Sequence, residues 1–211
     1  MRRADLRSEI SSLFGYSGSF LIIAVLTPSA LFVLRYIFRE SFGVEALGRW
    51  LVANRISDVS TQLLGLFIGQ AFLPAFAAIH DRDAARRLVR SVMLAATIAM
   101  ALVLGIFSLA PTLLINTFLS DQYLFARGAI QAYMAGDVFR VAASLLMNMS
   151  LARRRLRLAV VSELLPTFLL MAITGALIVS GWESAPFVGY VSANLAASAF
   201  FLRLWRQGRI P

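Results

Sequence analysis

Continuous apolar runs of membrane-spanning length recur along the whole chain, and no other feature limits its folds more. Six are present, at roughly Ser19–Phe38, Trp50–Ala77, Leu88–Ala110, Ala126–Leu151, Leu158–Ser180 and Ala185–Leu204. Each is long enough to cross about 30 Å of hydrocarbon at about 1.5 Å per helical residue. The runs do not alternate every second residue, which selects helices over a barrel. Charged residues make up 15% of the 211 and hydrophobic ones 59%, too little polarity for the shell of a water-soluble globule. The expected fold is therefore all-α: a polytopic membrane protein with six transmembrane helices at 19–204. An N-terminal cytoplasmic or interfacial segment is expected at 1–18 and a cytoplasmic tail at 205–211.

All twenty basic residues are arginine, and the net charge is +9. Their positions orient the bundle. Arg2, Arg3 and Arg7 precede the first span, and Arg82, Arg86, Arg87 and Arg90 surround the second connection. Arg153, Arg154, Arg155 and Arg157 form the fourth connection, and Arg203, Arg206 and Arg209 the tail. The opposite side holds Arg39, Arg49 and Arg127. Cytoplasmic loops collect positive charge, so both termini are expected in the cytoplasm. An even number of spans requires the same. In this setting the charge points to anionic lipid, and nucleic acid is not expected as a partner. The basic, then polar, start does not read as a cleavable signal peptide, and Leu6–Phe14 is expected to lie along the inner surface as an amphipathic helix. With no cysteine and a single histidine, His80, disulfides, thiolate chemistry and a histidine-rich metal site are excluded.

Several charges fall inside or at the edges of the spans, where each costs roughly 2.5–3.5 kcal/mol without a partner or a wet cavity. Arg55 and Asp58 are one helical turn apart in the second span, and Gln62 continues their face. Asp137 and Arg140 repeat the spacing in reverse order in the fourth span. Glu163 lies in the fifth span, and Arg35 near the outer end of the first. One reading makes these structural ion pairs. The other makes them the wall of a polar cavity, where arginines offer bidentate donors to a phosphate or pyrophosphate. There Asp137 or Glu163 could carry a coupling proton. Pro28 and Pro166 favour kinks, Gly65-Leu-Phe-Ile-Gly69 allows close helix approach, and Trp50, Trp182 and Trp205 are placed as interface anchors. No G-x-S-x-G, P-loop or dinucleotide-binding motif is present, and Asp81-Arg82-Asp83 reads as loop charge. A transporter without catalytic residues, cofactor or metal is expected, not an enzyme.

The order of short motifs is itself informative. Gly48-Arg-Trp-Leu-Val-Ala-Asn-Arg-Ile-Ser-Asp58, Ala71-Phe-Leu-Pro-Ala-Phe76, Ala135-Gly-Asp-Val-Phe-Arg140, Ser150-Leu-Ala-Arg153 and Ser162-Glu-Leu164 together resemble segments of the Wzx-type polysaccharide and O-antigen flippases. The resemblance is strongest to the branch serving lipid III in enterobacterial common antigen synthesis, and runs from about Tyr16 to Arg206. Those proteins have two six-helix lobes and share a superfamily with multidrug extruders; this chain is similar to the C-terminal lobe. The resemblance implies a bacterial inner-membrane protein that moves an undecaprenyl-pyrophosphate-linked oligosaccharide between leaflets. It implies membrane lipid as surroundings, a gradient of protons or sodium for coupling, and a missing N-terminal half or a second copy as the other wall of the cavity. The chain is then a fragment or a half-size protein. Arg55 and Arg140 match basic positions of the family and are the pyrophosphate candidates, with Arg35 near the outer mouth. Asp58, Asp137 and Glu163 are the candidates for coupling or for orienting those arginines. A multidrug or cation antiporter is the alternative, which the intramembrane arginines disfavour. A polymerase lacks its large outer loop here, and a non-transporting assembly subunit is the remaining reading.

Overall fold

Backbone amides that cannot reach water inside a bilayer must be satisfied within the chain, and the described residues contain helices and turns and no strand. The computed structural model describes the backbone at 3–118, 120–153 and 155–207, and side chains at Leu21 and from residue 24 on, except 118 and 122. The side chains of Leu6–Phe14, and all of Arg2, Arg154 and Arg209, lie outside the described residues. The helices are α1 (Arg3–Phe67), α2 (Leu73–Ala78), α3 (Arg82–Leu109), α4 (Pro111–Phe118), α5 (Arg127–Ala152), α6 (Leu156–Val179) and α7 (Ala185–Arg206). A π-helical turn, Ile68–Phe72, joins α1 to α2, and a 3₁₀ turn, Asp121–Ala126, leads into α5.

The 65 residues of α1 are not one rod. Gly43 sits at φ 86°, ψ 176°, a non-helical conformation nearly restricted to glycine. Trp50 nevertheless meets Phe38 edge to face, 5.3 Å between ring centroids. A straight helix would separate residues twelve positions apart by about 18 Å. The helix therefore folds back at Gly43 into two arms, 3–42 and 44–67, the second extended by the π turn and α2. Where the sequence suggests a loop between the first two spans, helix continues on both sides of a single glycine. The first arm also starts at Arg3 and runs through the boundary expected at residue 18.

Four helical stretches are long and apolar enough to cross a membrane: Ala24–Ala78, which contains both arms, Arg82–Leu109, Leu156–Val179 and Ala185–Arg206. The helices α5, α6 and α7 follow their expected spans to within two residues. Among them α5 is the polar one, and it packs against α1, α3, α6 and α7. A helix walled by protein can carry polar groups that lipid would not tolerate.

Lipid tails are as apolar as leucine, so burial from water does not drive such helices together; close packing and interhelical hydrogen bonds do. Both are concentrated on α5. Towards the Gly43 end, Trp50 is fully buried and donates its indole N–H to the Tyr133 hydroxyl, with Phe38 and Ile130 around it. The sequence placed Trp50 at the interface as an anchor; the hairpin turns it inward. Towards the other end, Phe72 and Phe76 stack at 5.4 Å and pack with Val89, Leu145 and Met149. There Arg153 lies 4.9 Å over the Phe76 ring and donates to the Ile79 carbonyl at 2.9 Å, tying the end of α5 to the end of α2. Gly136 leaves space for the Tyr190 ring, which stacks on Tyr133 at 4.2 Å, and Gly189 lets α7 approach Thr174 of α6.

Candidate functional site

Between the two arms of α1 and the helices α5, α6 and α7 lies a cavity of about 380 Å³. Its charged lining is Arg35 from the first arm, Asp58 from the second, Arg140 from α5 and Glu163 from α6. Neutral polar groups complete it, among them Asn54, Ser144, Thr167, Tyr190 and Asn194. Pro28 and Pro166 also line it. Each proline leaves a carbonyl four residues earlier without its helical donor, so both helix interiors are weakened where they face the cavity.

Beneath the wall lies a hydrogen-bonded cluster. Asp137 is 0% exposed, and its Oδ1 accepts from Ser57 Oγ at 2.7 Å and from the Tyr190 hydroxyl at 2.7 Å. The Tyr190 oxygen in turn lies 3.5 Å from Arg140 Nη1. Three helices are thereby joined on one carboxylate oxygen, while Asp137 Oδ2 is buried with no hydrogen-bond partner among the described residues. On the cavity side, Asp58 accepts from Asn54 Nδ2 at 2.9 Å. Arg35 lies with its guanidinium 5.8 Å from the Trp50 ring centroid, and its Nε is buried without a partner. An aromatic face offers a cation a favourable quadrupole.

The ion pairs read from one-turn spacing do not form. Among the described residues the salt bridge within 4 Å is Arg49–Glu183, which ties the second arm to the start of α7. Asp58 turns to Asn54, and Asp137 to two hydroxyls. Among the described residues Arg140 and Arg35 thus keep guanidinium groups on the cavity without a carboxylate at contact distance. The lining itself carries two arginines and two carboxylates, so its charges balance.

Of the six residues singled out by sequence, Arg35, Asp58, Arg140 and Glu163 line the cavity and Asp137 lies directly behind it. Arg55 does not join them. It is exposed on the second arm, away from the cavity, where its neighbours Asn54 and Ser57 point in. Sequence reasoning passed over Ser57, Tyr190 and Asn194. A signal for the last two existed: they stand four residues apart on α7, one polar face in an otherwise apolar span. Among the described residues no group of three acidic or histidine side chains is placed to hold a metal ion.

A family model described as polysaccharide biosynthesis protein matches residues 3–127. That stretch holds both arms of α1, α3 and the connection to α5, and so includes Arg35, Ser57 and Asp58. No curated protein and no solved structure matches the chain significantly.

Proposed function

The chain belongs to the polysaccharide biosynthesis protein family, and we propose on that premise that it moves a lipid-linked oligosaccharide across the membrane. The substrate in this reading is an undecaprenyl-pyrophosphate-linked oligosaccharide of surface polysaccharide synthesis, delivered from the inner to the outer leaflet of the bacterial inner membrane. The protein acts as a flippase, or as one lobe of one, with six crossings and both termini in the cytoplasm.

The observation that carries this reading is the pair Arg35 and Arg140 on one cavity, each without a carboxylate at contact distance among the described residues. A guanidinium is weakly hydrated and presents a planar fork of donors that matches phosphate oxygens. Two of them, from the first arm and from α5, would hold the two phosphates of a pyrophosphate. The cavity volume of about 380 Å³ sits at the low end of small-ligand sites, about 300–1,000 Å³. It accommodates the pyrophosphate while the polyprenyl tail stays in lipid. Asp58 and Glu163, on the same lining, are then the acids available to a coupling proton or sodium ion. Asp137 fixes the position of Tyr190, and through it of Arg140. The prolines of the first arm and α6 are the points at which alternating access would bend the walls.

A second reading, a multidrug or cation antiporter, is favoured by the two carboxylates on the same lining. Proteoliposomes separate the two. With a fluorescent undecaprenyl-pyrophosphate-linked sugar in the inner leaflet, the first reading expects probe to become accessible to an external quencher faster than in protein-free vesicles. Extrusion of a cationic dye against a proton gradient, with no movement of the lipid probe, would replace it by the second.

A further inference from the structure

The second arm of α1 carries a polar stripe that the described residues leave largely uncovered. Arg55, Asp58, Gln62, Gly65 and Gly69 follow one another at intervals of three, four, three and four residues. That interval keeps them on one narrow seam of a helix, the spacing by which two helices pack along their length. Arg55, Gln62 and Gly65 are exposed, and Asp58 and Gly69 half-buried. Neither glycine has any atom within 4 Å of where a Cβ would stand, so the backbone there faces open space. Among the described residues Arg55 makes no ion pair, and Asp58 has only Asn54 as a donor. A charged and an amide side chain facing hydrocarbon is unfavourable, and small residues beside them allow another backbone to come close.

We infer that this seam is where a second copy of the same chain docks, second arm against second arm. The stripe is complementary to itself. Two copies inserted in the same direction are related by a two-fold axis along the membrane normal, so equal depths meet. Gln62 then lies against Gln62 of the second copy, and side-chain amides can donate and accept across the axis. Arg55 lies about 4.5 Å along the axis from the level of Asp58 of the second copy, within the reach of its long side chain, and the pair occurs twice. Gly65 and Gly69 let the two backbones approach on the far side of Gln62. No residue from a different protein is needed to satisfy either charge. Asp58 also lines the cavity, so docking brings Arg55, which misses its own cavity, to the rim of the neighbour's.

The chain has no cysteine, which makes the test direct. Gln62→Cys, expressed in membranes and oxidised, is expected to give a cross-linked species of twice the chain mass. Ile98→Cys, exposed on α3, is expected to give none. Placing Gly65→Ile in the Gln62→Cys background should abolish the cross-link. Arg55→Asp should weaken it, and Arg55→Asp combined with Asp58→Arg should restore it. Gln62→Cys cross-linking no better than Ile98→Cys overturns the proposal, as does a cross-link to a polypeptide of another mass or a charge exchange that fails to rescue. The readout is oligomeric state, so it stands or falls apart from the movement of lipid.

Discussion

Asp137 has one oxygen holding two hydroxyl donors from two other helices and a second oxygen buried without a partner. Replacing it by alanine removes the short acceptor of the buried Ser57 and Tyr190 hydroxyls and leaves them their 3.4 Å contact with each other, at about 1–3 kcal/mol for each acceptor bond lost. Asp137→Ala is therefore expected to lower the melting temperature of the purified protein clearly. Asp137→Asn keeps an acceptor oxygen for both donors and is expected to lower it much less. Equal melting temperatures for the two variants would show that the cluster does not hold the helices together. Sequence could single out Asp137 because a carboxylate is rare within an apolar span. It could not find Ser57, whose hydroxyl is common in membrane helices and acquires meaning only when three helices converge. Arg55 shows the reverse limit: spacing placed it on the face of Asp58, yet a few tens of degrees of helix rotation decide whether a side chain enters a cavity or leaves it.

At the scale of the element, the departure from sequence expectation is the α1 hairpin. Arg39, Glu40, Ser41 and Glu45 make the stretch between the first two spans polar, and polarity reads as loop. Those residues are compatible with helix, and one glycine makes the whole turn. Gly43→Ala has open space for its methyl group, so its cost is backbone strain alone, about 1–3 kcal/mol. The variant is expected to melt earlier and to separate Phe38 from Trp50, observable as a change in tryptophan fluorescence. At the start of α3, Asp81 accepts from the amides of Ala84 at 2.9 Å and Asp83 at 3.3 Å. Those two bonds, with Arg87 nearby, hold its carboxyl below its ordinary value of 3.8. A lowered value favours the fold above the unfolded pKa, and the contribution disappears as pH falls through the lowered one. Hydrogen exchange in residues 82–86 is expected to be slow at neutral pH, to quicken in acid after correction for intrinsic rates, and to be fast and insensitive to this change in Asp81→Ala.

For the whole molecule, composition and run length made the all-helical membrane class legible, because a bilayer leaves so few alternatives. Packing was not legible. That α5 is the central helix follows from its polar residues only once the other helices are seen around it, and the balance of charge in the cavity required knowing which way Arg55 points. The six-crossing topology has its own test in a chain without cysteine. Ser184→Cys should react with a membrane-impermeant maleimide added to intact spheroplasts, and His80→Cys only after lysis; the opposite pattern would invert the orientation.

The central claim is that Arg35 and Arg140 together receive a pyrophosphate. Binding of undecaprenyl pyrophosphate to the protein in lipid nanodiscs, followed by native mass spectrometry, addresses it most directly. Charge-assisted hydrogen bonds are worth about 1.5–3 kcal/mol, so Arg35→Ala and Arg140→Ala are each expected to weaken binding by roughly 10–100-fold. Arg90→Gln, which removes an equal charge from the exposed start of α3, should leave it unchanged. Equal affinity in all four proteins, with folding intact, would contradict the account.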